Sequence, residues 1–228
     1  MIVQKIGVEP AREEPLMAED KTSTPERTTL VGGVLLAIAG VIGLLGSVRF
    51  TIPLPEASIL FESVIPATVS NILLLAAFIT LAMGTRGETG IVGRSVLGRL
   101  SLILFGGGYL VFTVYALLPV SSGSGGAIVG GMILEVLVIV AGVIAGVVTR
   151  RARLLHGAAR WMLLAVGIWN AIWSIPAFIP NTDLALSLAI WKVDILMPAA
   201  LIVLSVTYMV HGRSAAIRHR LHVINENW

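Results

Sequence analysis

The strongest constraint on this chain is a set of six apolar stretches, each long enough to cross a lipid bilayer. The first reads TLVGGVLLAIAGVIGLLGSV, residues 29–48, and the others fall near 66–84, 99–120, 126–149, 159–179 and 190–211. A membrane-spanning helix needs about 20 consecutive, mostly apolar residues. Inside hydrocarbon every backbone amide must be satisfied within the chain, which leaves helices or a closed barrel. Runs of this length predict helices. Only 13% of residues are charged, about half the usual share for soluble domains, so most of the chain must be buried in lipid. The predicted fold is all-α: a polytopic bundle of six membrane-spanning helices, residues 29–211, between a polar tail at 1–28 and a basic tail at 212–228.

The first tail is rich in Glu, Pro, Thr and Lys and lacks the short basic start of a signal peptide. Its composition predicts a solvated, disordered segment. Lys and Arg set the orientation, because positive loops stay on the cytosolic side. Every basic residue except Arg49 and Lys192 lies in the tails, around the connection after the second stretch, or around the connection after the fourth. That alternation predicts both termini in the cytosol. Arginine outnumbers lysine, as in chains from GC-rich bacteria, so the expected location is the cytoplasmic (inner) membrane of a bacterium. Of the outer connections, 121–125 is a tight SSGSG turn. Residues 49–65 are longer and half apolar, and could form a short helix near Pro55 lying on the membrane surface.

Charges within apolar spans are costly and normally face protein, water or the interface. Depth follows from the 1.5 Å helical rise, counted from each cytosolic boundary. Glu135 and Asn71 lie about 22 Å up, Asp194 about 25 Å, Lys192 about 28 Å, and Thr113, Tyr115 and Ser174 about 21 to 24 Å. Polar groups from the second to sixth stretches thus share one layer in the outer third of a core about 30 Å thick. Lys192, beside Trp191, is close enough to the boundary to snorkel. Glu135 is too short and too deep for that. It must hold a proton or find a cation, and Lys192 is the expected partner. Lys192 and Asp194 stand about 200° apart around a helix and do not pair with each other. The competing reading of Glu135–Lys192 is a bridge that only locks two helices together.

Asn170 falls about 15 Å up, between Trp169 and Trp173 at i and i+4. The candidate substrate-binding set is therefore Glu135, Lys192, Asp194, Asn71, Asn170 and Trp173. Pro176 and Pro198 could kink the last two spans. Gly142 and Gly146 form GxxxG, and Gly40, Gly43, Gly46 and the triplet Gly106, Gly107 and Gly108 suit close helix contacts.

The absent motifs narrow the function further. Cysteine is missing, which removes disulfides, thiolate metal sites and thiol nucleophiles. All four histidines lie at or beyond the cytosolic ends of spans, so no bis-histidine haem sits in the membrane. His219 and His222 lack further ligands, and no metal or cofactor is expected. The phosphate-loop, HExxH and GxSxG patterns do not occur. Enzyme is the least favoured class, although Glu135 and Asp194 could form an acid–base pair. The basic residues sit beside spans, which argues against nucleic acid as a partner. Expected partners are membrane lipids, a small solute, and a second copy or another membrane subunit. Two functions stay open: a small-solute transporter or binding protein with an outward-facing polar pocket, and a non-catalytic scaffold or accessory subunit.

Overall fold

The computed structural model describes residues 25–48, 64–85, 87–117, 125–178 and 195–226. Among them every regular element is helical: α1 Glu26–Val48, α2 Ile65–Met83, α3 Val96–Leu117, α4 Gly125–Ala152, α5 Ala159–Ser174 and α6 Met197–Glu226. Four of these, α1 to α4, are long and apolar enough to cross a membrane. The helix α5 is shorter, at 16 residues, and continues as a 3-10 turn over Ile175–Phe178. Pro176 lies in that turn and Pro198 in the first turn of α6. Pro198 falls in a first turn, where a missing backbone N–H costs least, and Pro176 falls where the α-helical bonding of α5 has given way to the 3-10 turn. The helix α6 runs on to Glu226, past the boundary at 211 drawn from hydropathy. The tail at 1–24, the segment 49–63, the turn at 121–124, and Lys192 and Asp194 lie outside the described residues.

Consecutive helices pack on one another, and α6 returns to pack against α1, closing a ring. The α1–α6 contact is the most extensive and α5–α6 the thinnest. Small residues allow this closeness, as lipid-solvated helices require. A Cβ on Gly40 would stand 3.0 Å from the Pro198 carbonyl of α6, and one on Gly33 would stand 3.0 Å from the Ser205 carbonyl. Gly43 stands between Ser70 of α2 and Pro198 of α6, and Gly46 faces Pro66 of α2. On α4, Gly146 faces the backbone of Leu164, while Gly142 meets both the Phe105 ring and Gly167 of α5. The GxxxG pattern thus marks the α4–α5 seam. The triplet does not loosen α3, which is helical throughout. Gly106 admits Phe78 from one side and Gly108 admits Val138 from the other.

Aromatic side chains fill the interior. Phe78 and Phe105 meet edge to face at 5.3 Å, and Phe105 and Tyr109 at 5.8 Å. The outward faces are also apolar. On α1 Val31, Val34, Ile38, Val41 and Leu45 form one exposed stripe at helical spacing. Similar exposed residues occur on α2, α3, α4 and α6. So much contiguous apolar surface does not suit water, and these helices are compatible with a membrane protein.

The connection from α2 to α3 folds back under the bundle. Gly84 opens it at φ 84°, a conformation that favours glycine. The Ile91 N–H then donates to the Leu81 carbonyl at 2.8 Å, and Ile91 and Val92 are buried. This turn presents Glu88 to the first turn of α1. The Glu88 carboxylate accepts from the N–H groups of Arg27 at 3.1 Å and Thr28 at 2.8 Å, and from the Thr28 hydroxyl at 2.9 Å. A helix N-terminus has unpaired N–H donors and positive partial charge, so Glu88 serves α1 as a cap supplied from another segment.

Candidate functional site

A chain of hydrogen bonds crosses four helices and joins Asn71, Thr113, Ser174 and Glu135, which the depth count sets in one layer, by way of Tyr109 and Asn170 about one turn deeper. It starts on α2, where Asn71 donates through Nδ2 to Thr113 Oγ1 at 2.7 Å and to the Tyr109 carbonyl at 3.3 Å, both on α3. Thr113 also donates to the Tyr109 carbonyl, at 3.2 Å. The side chain of Tyr109 carries the chain onward, its hydroxyl donating to Asn170 Oδ1 of α5 at 2.9 Å. One turn later Ser174 donates to the Asn170 carbonyl at 2.7 Å and also contacts Glu135 Oε1 of α4. The single Ser174 proton serves one of these two acceptors at a time.

Helical spacing builds this line. Tyr109 and Thr113 are i and i+4 on α3, and Asn170 and Ser174 are i and i+4 on α5, so each pair shares a face. Gly108, beside Tyr109, lets Val138 of α4 close against α3. Gly142 and Gly167 bring α4 and α5 together just below Glu135 and Asn170. The small residues and the polar line therefore belong to the same interfaces.

One group in the line is unsatisfied. Asn170 is 1% exposed, and its buried Nδ2 has no hydrogen-bond partner among the described residues. A buried donor without an acceptor costs about 1–3 kcal/mol, so this amide is a place where a ligand oxygen or nitrogen would be gained. Glu135 is only half buried and offers carboxylate oxygens nearby in the chain of contacts. Trp169 and Trp173 pack against each other on α5, ring centroids 5.7 Å apart.

Of the residues singled out from sequence, the structure joins Asn71, Asn170 and Glu135 in one network, with Thr113 and Ser174 from the same layer. Trp173 pairs with Trp169. Tyr115 lies over Gly130 of α4, its hydroxyl 3.0 Å from the site a Cβ would take. Lys192 and Asp194 fall outside the described residues, so the Glu135–Lys192 pair has no geometry to report. Tyr109, the centre of the network, was missed by sequence reading: it sits among apolar neighbours and gives no charge signal. Its spacing of four from Thr113 is the clue that could have found it. Glu88 was missed because a glutamate in a polar loop is ordinarily just solvated.

At the opposite, basic end, His156 and His211 stack with centroids 6.2 Å apart. Among the described residues no group of three or more His, Cys, Asp or Glu side chains is placed to hold a metal. Comparison with known proteins supplies no family: no family model, no curated sequence and no solved structure matches the chain.

Proposed function

We propose that this chain is a six-span protein of a bacterial cytoplasmic membrane, with both ends in the cytosol, that binds a small polar solute at the Tyr109–Asn170–Ser174–Glu135 line. The observation that carries the reading is the buried Asn170 amide, whose Nδ2 has no hydrogen-bond partner among the described residues. A protein that needed only to tie helices together would gain stability by satisfying that donor or replacing it with an apolar group. A solute offering an acceptor to Asn170 Nδ2 would complete the arrangement. Lys192 and Asp194, near in depth by sequence, are the further lining candidates, with Asn71 positioning α3 and Trp173 flanking α5.

The test is a thermal-shift screen of the purified full chain against small polar solutes, comparing wild type with Asn170→Leu. The expected result is a solute that raises the wild-type melting temperature, with the shift lost in Asn170→Leu although the variant still folds and loses no more than about 1–3 kcal/mol, the cost of orphaning the Tyr109 hydroxyl. No shift with any solute, together with a large loss of stability in Asn170→Leu, sinks the reading.

That second pattern belongs to the alternative, a non-catalytic scaffold or accessory subunit. One observation favours it: the same network ties α2, α3, α4 and α5 in series, as a structural lock would.

A further inference from the structure

The connection between α4 and α5 carries a side-chain arrangement that the polar line does not use. The Arg150 guanidinium lies over the Trp161 indole, 3.9 Å from its ring centre. Arg160 donates through Nε to the Arg150 carbonyl at 3.0 Å, which holds the end of α4 against the start of α5. Neither arginine has an ion-pair partner among the described residues. Stacking on a ring leaves the edge N–H groups of a guanidinium free, and its planar fork matches the paired oxygens of a phosphate. Trp161 is 48% exposed, and it heads a stripe along α5 and into the 3-10 turn that follows, in which Ile168, Ile172 and Ile175 are also exposed. Positions 161, 168, 172 and 175 fall on one side of a helix. An anion-binding corner therefore stands at the top of an apolar track running into the membrane.

We propose that Arg150, Arg160 and Trp161 bind the phosphate of an anionic phospholipid on the cytosolic leaflet, with its acyl chains laid along Ile168, Ile172 and Ile175. The apolar track decides between a lipid and a free anion, since soluble phosphate would gain nothing from it. Trp161 sits where an indole prefers to be, at the boundary between chains and headgroups. This inference rests on the membrane reading but not on a solute at Asn170.

The experiment titrates the detergent-purified full chain with short-chain phosphatidylglycerol, phosphatidylcholine or inorganic phosphate, reading the melting temperature. Phosphatidylglycerol is expected to stabilise the wild type well beyond phosphatidylcholine, and inorganic phosphate to do little. In Arg150→Gln the apparent affinity for phosphatidylglycerol should fall about tenfold, as loss of a charge-assisted pair implies. Arg151→Gln, one residue away on the same helix end, should keep it. Equal stabilisation by the two lipids overturns the headgroup site. An effect reproduced by inorganic phosphate overturns the lipid in favour of a free anion. Full affinity in Arg150→Gln, or equal loss in Arg151→Gln, overturns the assignment to this corner. Should Arg150→Gln not fold, the wild-type comparison of the three ligands still decides. Failure of the chain to fractionate with membranes would instead strike the membrane reading.

Discussion

Tyr109 does two jobs at once: its carbonyl receives Asn71 and Thr113, and its hydroxyl holds the Asn170 amide. Removing that hydroxyl leaves Asn170 with neither end of its amide paired. Tyr109→Phe should destabilise the protein by about 1–3 kcal/mol, read as a loss of melting temperature in detergent. The double variant Tyr109→Phe with Asn170→Leu should recover part of the loss, because two partners of one bond are removed together. Glu88 is the other residue whose effect exceeds its surroundings. Glu88→Ala strips two backbone N–H groups and a buried threonine hydroxyl of their acceptor, at about 2 kcal/mol. Fraying at the first turn of α1, measured by amide hydrogen exchange, checks it. The depth of Glu135, Asn71 and Ser174 could be counted from the nearest arginine, so the polar layer was legible in the sequence. The partners within that layer were not, because rotation of each helix decides which side chains meet, and hydropathy that is apolar all round gives no rotation.

The helices themselves were the most legible part, since a run of about 20 apolar residues has few alternatives. Starts and stops differ where chemistry beyond hydropathy intervenes. The helix α4 extends to Ala152 through Thr149, Arg150 and Arg151, and basic residues in the last turn suit its negative end. The fifth helix gives way to a 3-10 turn at Pro176. Glycine patterns were visible too, although composition alone could not say which glycines touch a neighbour. The triplet in α3 makes that distinction measurable. Gly107 has only the Leu75 side chain near it, 3.7 Å from where a Cβ would sit, whereas Gly106 would meet Phe78 at 2.8 Å. Gly107→Ala should be neutral or stabilise by up to about 1 kcal/mol through helix propensity. Gly106→Ala should destabilise by about 1–3 kcal/mol through overpacking. Gly146→Leu, set against the Leu164 backbone, should cost still more and separate α4 from α5. Equal melting temperatures for Gly106→Ala and Gly107→Ala would contradict the packing described.

On the scale of the whole molecule, the proposed topology of six spans with both ends in the cytosol can be mapped directly, because the chain has no cysteine and every introduced thiol is a unique probe. Single cysteines at Arg151 and Arg213 should react with an impermeant maleimide only after the cells are opened. One at Ser121 should react in intact cells. The reverse pattern would invert the topology, and labelling of Arg151 and Ser121 from the same side would remove a span between them. Charge alternation along the sequence is what predicts that topology, and nothing in it foretells the ring of helix contacts. Which helix neighbours which is settled by surface fit between segments far apart in the chain, and that fit appears only in three dimensions. The closure between α1 and α6 also bears on how the protein is made. Of these six helices, the one that leaves the ribosome first has its broadest partner in the one that leaves last. Until then the Gly33 and Gly40 face of α1 has only lipid or an insertion factor to cover it. A chain truncated before α6 should therefore be inserted yet short-lived, degraded with its first helix unpaired.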